Sequence, residues 1–265
     1  MKITVFTSNQ PRHLSLIESL STIAEEVFAV QEVTTVVTGK KKGLYRHSEV
    51  MEEYFSHVIA AEKKIFGLPR FVAPAKPGHR IHQLLLGMDD LNLIDPALVE
   101  PALHSDVYVV FGASYIKGDL CNFLIKHRAY NIHMGTSPYY RGASCNFWAV
   151  YDGHPDYVGA TIHLLSKGLD SGDILFHALP KADAIDPFTL GMKAVQYAHE
   201  VLVAKISSGE LASINPVRQD KSQQIRYTVN ADFTDEIART YLEQLPAARE
   251  INEKLKQRDS SKFIW

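Results

Sequence analysis

The sequence predicts an α/β fold: a Rossmann-like, mostly parallel sheet with helices on both faces, followed by a small C-terminal extension. Short apolar, β-branched runs alternate with segments of helical spacing, the pattern that builds a parallel sheet. One run, Val107-Tyr108-Val109-Val110-Phe111, is apolar without alternation and stops at Gly112, as a strand buried on both faces would. In 265 residues, an apolar fraction of 46% and a charged fraction of 22% suit a chain able to bury a large core. These features divide the chain into a catalytic-size domain over residues 1–206 and an extension over 207–265.

The first strand is expected over 2–7, where Ile-Thr-Val-Phe is short and β-branched. A polar turn, Ser8 to His13, precedes a helix in which Leu14, Ile17, Leu20 and Ile23 recur at helical spacing to about residue 25. Val27 to Val36 reads as a second strand, and 38–50 as a polar, basic loop. Met51, Tyr54, Phe55, Val58, Ile59 and Ile65 place one helix over about 50–66. Phe71-Val72-Ala73 suggests a short strand, and Ile81 to Met88 a helix. After the strand at 106–112 come a short helix over 117–127, a strand from Tyr130 to Met134, and a loop from Gly135 to Gly142. A helix over 143–152 and a strand over 160–165 follow. A turn and strand are expected over 170–176, then a long helix over 187–206 between Asp186-Pro187 and Ser207-Ser208-Gly209. Beyond 210 the pattern offers one weak helix, 234–244.

The net charge of −2 argues against a surface built for nucleic acid or acidic membrane. Lys40-Lys41-Lys42 is a compact basic run, and a solvated loop accounts for it. Cys121 and Cys145 are too few for a disulfide framework and lack the spacing of a metal site, so both are expected as reduced thiols. The N-terminus is interrupted too early by polar residues to read as a signal peptide, and no apolar run reaches the roughly 20 residues needed to span a bilayer. A soluble, cytoplasmic protein without a membrane partner is expected.

Ligands bind at the carboxyl ends of the strands in an open parallel sheet. The polar clusters there are 8–13, 112–117 and 135–142. Asn131 and His133 lie two apart near a strand end, so their side chains share a face. An amide donor and a base that titrates near neutrality suit attack on a carbonyl. Asp170 and Asp173 are the candidate carboxylates to orient the imidazole. Ser8, Asn9, Arg12 and His13 are a candidate phosphate site at a helix start. His163 reads as structural, and Phe147 and Trp148 as core.

Three segments carry a resemblance: Asn131-Ile-His133-Met-Gly-Thr-Ser-Pro138-Tyr-Tyr-Arg141-Gly142, Gly159-Ala-Thr161-Ile-His163 and Leu169-Asp170-Ser-Gly172-Asp-Ile174. In content and order they resemble the formyl transferase family, from about residue 105 to 176 and more loosely to 206. The resemblance implies 10-formyltetrahydrofolate as donor, with Asn131, His133 and Asp170 as the catalytic trio. It also implies a folate pocket lined by the backbone of Phe111, Gly112, Ala113, Ser114, Tyr115 and Ile116. The Tyr-Arg-Gly loop puts Tyr140 and Arg141 on the substrate side, Arg141 either binding a phosphate or bracing the loop. One departure stands out: Met134-Gly135-Thr136-Ser137-Pro138 replaces the Pro-Ser-Leu-Leu-Pro of many members.

The family acts on several amines. The short polar tail and the near-neutral charge favour a small-molecule amine, such as a nucleotide-linked amino sugar, over a tRNA. Methionyl-tRNA formylation, hydrolysis of the donor and non-catalytic folate binding stay open as alternatives. The polar helical tail is a candidate homodimer contact.

Overall fold

In the first strand Ile3 and Val5 enter one hydrophobic layer while Phe6 enters another, and this alternation makes the sheet two-faced. The protein is described by a computed structural model covering residues 1–33 and 48–265. The chain runs β1 (Lys2–Thr7), α1 (Pro11–Ser21), β2 (Glu26–Val33), α2 (Glu49–Phe66), β3 (Arg80–Gly87), β4 (Val107–Val110) and α3 (Gly118–Lys126). It continues through β5 (Tyr130–His133), β6 (Tyr140–Gly142), α4 (Cys145–Tyr151), β7 (Ala160–Leu164), β8 (Ile174–Ala178) and α5 (Pro187–Ser207). The last elements are α6 (Glu210–Ser213), β9 (Arg226–Thr228), α7 (Asp235–Glu243) and α8 (Ala248–Lys256).

The main sheet has the order β3-β2-β1-β4-β5-β7-β8. The pairs from β3 through β5 are parallel, whereas β5–β7 and β7–β8 are antiparallel. On one face, α1 and α5 bury Leu14, Ile17, Leu20, Val195 and Leu202 against Ile3, Val5 and Val109. On the other, Cys121 and Leu124 of α3 meet Phe6, Tyr108 and Val110. A third cluster joins α2, α4, α7 and α8, with Tyr54, Phe147 and Tyr241 at its centre. This is the expected α/β architecture with helices on both faces.

Residues 80–87 form a strand where helical spacing suggested a helix. Eight residues of β3 pair in register with Glu26–Val33, and His82 stacks on Phe28. Run length alone does not separate a short strand from a helix turn, and here ladder pairing prevails over the spacing of Ile81, Leu84 and Leu85. Residues 71–73 form no strand, and Phe71 is fully exposed. β2 is described to Val33; the expected continuation to Val36, most of the 38–50 loop and Lys40–Lys42 lie outside the described residues. Four elements lie where none was expected: β6 inside the 135–142 loop, its partner β9, the single-turn α6, and α8, whose apolar stripe is thin. Among the described residues no helix is long and apolar enough to cross a membrane. Both cysteines are free and buried.

His199 lies in α5 within the main core, its ring 5.1 Å from Phe111, and neither nitrogen has a hydrogen-bond partner among the described residues. Burial, aided by the positive charge of Arg12, pushes this imidazole from 6.5 down to about 3. The unfolded chain therefore takes up the proton before the folded chain does, and stability falls as pH drops from 6.5 toward 3. At pH 5 the expected loss from this group is about 2 kcal/mol. His199→Phe should flatten the slope of stability between pH 7 and 5. Urea midpoints at the two pH values test this, and identical slopes in both proteins would reject it.

Candidate active site

β5 delivers Asn131 and His133 to one side of the sheet, where the parallel strands end. β7 returns antiparallel beside it, so the register sets His163 opposite Asn131 and Thr161 opposite His133. Thr161 Oγ1 donates to the Gly135 carbonyl at 2.6 Å and accepts from Ser137 N at 2.8 Å, fixing the loop that leaves β5. Asp170 reaches the group from the turn before β8. Its φ of 45° is left-handed, a conformation Asp tolerates. The turn is held by Gln219, whose amide donates to the carbonyls of Asp170 (2.9 Å) and Gly172 (2.8 Å).

These pieces converge. His133 Nδ1 lies 3.3 Å from Asp170 Oδ2, and its Nε2 lies 3.4 Å from Cys145 Sγ. Asn131 Nδ2 lies 2.9 Å from His163 Nε2 and 3.5 Å from Asp170 Oδ1. His163 Nδ1 donates to the Leu164 carbonyl at 2.8 Å, which in the neutral ring leaves Nε2 to accept from Asn131. One amide hydrogen of Asn131 is thus firmly held, and the other rests at the limit of a hydrogen bond, free for a better acceptor.

The charges are coupled. Burial opposes a charged His133, but the Cys145 sulfur and the Asp170 carboxylate outweigh it and raise the imidazole well above its usual value. Burial likewise opposes a charged Asp170, yet the charge and hydrogen bond of His133, with His163 beside it, hold the carboxyl well below the usual carboxylate range. Both directions favour an imidazolium beside a carboxylate. Such a group can present positive charge and a donor to a developing oxyanion and can move a proton.

Two clefts meet at His133. One, of about 350 Å³, is lined by all six residues from Phe111 to Ile116, with His13, Asn131, His163 and Asp170. The other, of about 380 Å³, is walled by Tyr54, Phe147, Phe188, Met192 and Tyr241. Arg12, His133 and Met134 border both. Glu32, buried in β2, holds the first wall. It accepts from Ser114 N at 2.6 Å, Ser114 Oγ at 2.8 Å and Leu91 N at 3.3 Å. The Tyr115 hydroxyl donates across the mouth to the Lys167 carbonyl.

Other expected positions lie differently. The start of α1 does hold an anion, but it is the chain's own Glu62, which accepts from Arg12 N at 3.2 Å and from Arg12 Nη1 at 2.8 Å. Ser8 is buried with its hydroxyl on the Glu32 carbonyl, and neither Ser8 nor Asn9 borders a cleft. His13 borders the first cleft, and its burial pushes the ring well below the usual histidine range. Tyr140 is buried, with its hydroxyl donating to Asp152 at 3.3 Å, and borders neither cleft. Arg141 is buried and donates to Gln224 at 3.3 Å beside the Tyr227 ring, so it braces β6 against β9. Asp173 contributes its backbone carbonyl to Leu164 N and no carboxylate to the group. Trp148 is core, while Phe147 is core on one side and cleft wall on the other. His163, Cys145, Glu32 and Gln219 are additions to the group. The antiparallel return of β7 and the packing of distant segments supply them, and no local spacing signals either.

Residues 1–206 match the formyl transferase family model. The methionyl-tRNA formyltransferase of Anaeromyxobacter sp. (strain K) is 36% identical over 123 residues, 46% of this chain and 39% of that protein. That of Lachnospira eligens is 33% identical over 132 residues, 49% of this chain and 42% of that protein. The match spans about two fifths of these relatives' own length. Among solved structures, the formyltransferase PseJ from Anoxybacillus kamchatkensis aligns with a TM-score of 0.53 at 17% identity, over 96% of this chain and 100% of that one. A 4-N formyltransferase from Francisella tularensis gives 0.54 at 16% identity, over 88% and 77%. At these identities the structures share the fold. With the family model matching most of its length, the chain belongs to the formyl transferase family.

Proposed function

We propose that this chain transfers the formyl group of 10-formyltetrahydrofolate to the primary amine of a small acceptor, with Asn131, His133 and Asp170 as the reacting group. The observation that carries this reading is the junction: His133, paired with Asp170, stands where two clefts meet. Transfer between two substrates needs a group reached from both sides, and a donor-only hydrolase or a folate-binding protein has no use for the second cleft. The first cleft, whose loop offers backbone polar groups beside apolar Phe111 and Ile116, suits the flat, polar-edged ring of the donor. The second suits the acceptor.

In this scheme Asn131 and the His133 imidazolium hold the negative charge that develops on the formyl oxygen as the amine nitrogen bonds to the carbon. The bond from that carbon to the folate nitrogen then breaks. The amine gives up one proton, the leaving nitrogen gains one, and His133 is placed to carry it. His133 gives its proton to the leaving nitrogen and regains one from the amine, while Asp170 keeps the ring oriented and stabilises its charged form.

For the acceptor we favour a nucleotide-linked amino sugar. The Anoxybacillus enzyme was captured with a UDP-linked formamido sugar and tetrahydrofolate, and it aligns over its whole length. The aromatic wall of the second cleft suits the apolar face of a deoxygenated sugar. The curated relatives keep methionyl-tRNA as the second reading. Mass spectrometry separates them: the protein with 10-formyltetrahydrofolate is given a pool of nucleotide-linked amino sugars, with methionyl-tRNA in a parallel tube. A formylated sugar absent with His133→Ala supports the proposal. A formylated tRNA alone overturns the acceptor, and formate released without any amine overturns the transfer.

Glu32→Ala should raise KM for the donor at least about tenfold with little change in kcat, because the loop loses bonds to a buried carboxylate worth roughly 1.5–3 kcal/mol each. Initial rates against donor concentration test this. An unchanged KM would show that the loop keeps its shape without Glu32.

A further inference from the structure

Both ring nitrogens of His133 have partners, and one of them falls outside the trio. Cys145, the first residue of α4, sets its sulfur 3.4 Å from His133 Nε2 and 3.4 Å from the Gly142 carbonyl. If the thiol hydrogen points to that carbonyl, the sulfur is left to accept from Nε2–H. In the resting protein Asp170, His133 and Cys145 then form one line, and the weak sulfur contact yields Nε2–H to the formyl oxygen when substrate arrives. The sulfur is buried and borders neither cleft, so it is not presented to a substrate as a nucleophile.

Gly135 makes this contact possible. A side-chain carbon at that position would overlap Cys145 Cβ and come within 2.8 Å of His133 Nε2. Any other residue would therefore push between Cys145 and the ring. Gly135 belongs to the Met134–Pro138 segment, where the sequence departs from the pattern it otherwise resembles.

We propose that Cys145 is the positioning residue for His133, fixing the ring from the side opposite Asp170, and that Gly135 is the space that lets it do so. Cys145 acts through His133 and touches no substrate. The groups facing His133 are Asp170 from the turn before β8, Cys145 from α4 and Arg12 from α1 across the clefts; His163 of β7 acts on it through Asp170 and Asn131. Of these, Asp170 and the Cys145 sulfur favour the charged ring. Removing the sulfur frees the ring to turn and makes its proton easier to lose.

The test has one arm that needs no activity and one that rests on the formyl-transfer reading. In the resting protein, the His133 ring proton is followed by NMR against pH, its signal assigned by its loss in His133→Gln. Cys145→Ala should move the titration of His133 to lower pH, and Cys145→Ser, which restores a polar atom, should recover part of the shift. Gly135→Ala should produce a similar shift with Cys145 still present, and the double variant should be no worse than either single one. In transfer assays kcat should fall by up to about a hundredfold, the scale of a group misplaced by about 1 Å, with KM for the donor unchanged. The alkaline fall in rate should begin at lower pH. An unmoved titration in Cys145→Ala, or additive effects in the double variant, overturns the proposal whatever the rates do. A shifted titration in a protein that formylates nothing keeps it and rejects the formyl-transfer reading instead. Should Cys145→Ala fail to fold, Cys145→Ser and Gly135→Ala carry the same comparison.

Discussion

His133→Ala is expected to lower kcat by about 10³-fold, and Asn131→Ala by about 10²-fold or more, with donor KM changing far less. The first figure reflects the loss of a proton carrier and of the positive charge facing the oxyanion, and the second the loss of one oxyanion donor. The effects should not add. His133 and Asn131 lie 3.3 and 3.5 Å from the Asp170 carboxylate and are expected to act as a unit with it, so the double variant should be little slower than the worse single one. His133→Ala also strips Asp170 of its counter-charge, which costs stability on its own. His133→Gln, which can still donate to Asp170, separates the loss of chemistry from the loss of fold. Asp170→Asn should shift the pH profile as well as the rate. His133 is held charged partly by the carboxylate, so without it the imidazolium deprotonates at lower pH. The decline of kcat/KM with rising pH should then begin earlier. Steady-state rates from pH 5.5 to 9.5 test both claims. Near-normal turnover in His133→Ala and Asn131→Ala would remove the trio from the mechanism.

The trio was legible because Asn131 and His133 lie two apart on one strand and the Asp170 turn carries its own motif. The strand end places the polar cluster 112–117 on the ligand side of the sheet, and the resemblance supplies the wall from Phe111 to Ile116. The rest depends on partners far apart in sequence. His163 becomes a neighbour of Asn131 only because β7 runs antiparallel to β5, and an apolar strand carries no mark of its direction. Glu32 sits 82 residues from the Ser114 it holds, and Gln219 sits 49 residues from Asp170. Arg12, which borders both clefts, is a related case. A cation at a helix start reads as an anion site, and only the packing of α2 reveals that Glu62 already fills it. β3 failed on periodicity, since its apolar residues satisfy a helical template and a ladder equally well.

Gly172→Ala is expected to cost about 3 kcal/mol of stability and most of the activity. A side-chain carbon at 172 would overlap the Leu164 carbonyl oxygen and come within 2.9 Å of His163 Nδ1. Both obstacles are fixed. Leu164 N is tied to the Asp173 carbonyl at 3.0 Å, and His163 holds Asn131, so neither can yield without breaking a bond. The turn must move instead, and overpacking of this kind costs typically 1–3 kcal/mol or more. Moving it draws Asp170 away from His133 and strains the two bonds from Gln219, so stability and catalysis should fall together. Gly191→Ala is the control. Its added carbon meets nothing within 4 Å and lies inside α5, where alanine is favoured over glycine by up to about 1 kcal/mol. Urea unfolding should therefore show one glycine variant well below the parent and the other at or above it. Should Gly172→Ala unfold like the parent and keep its turnover, the close packing of this turn on β7 would not be what positions Asp170, and Gln219 alone would have to account for it.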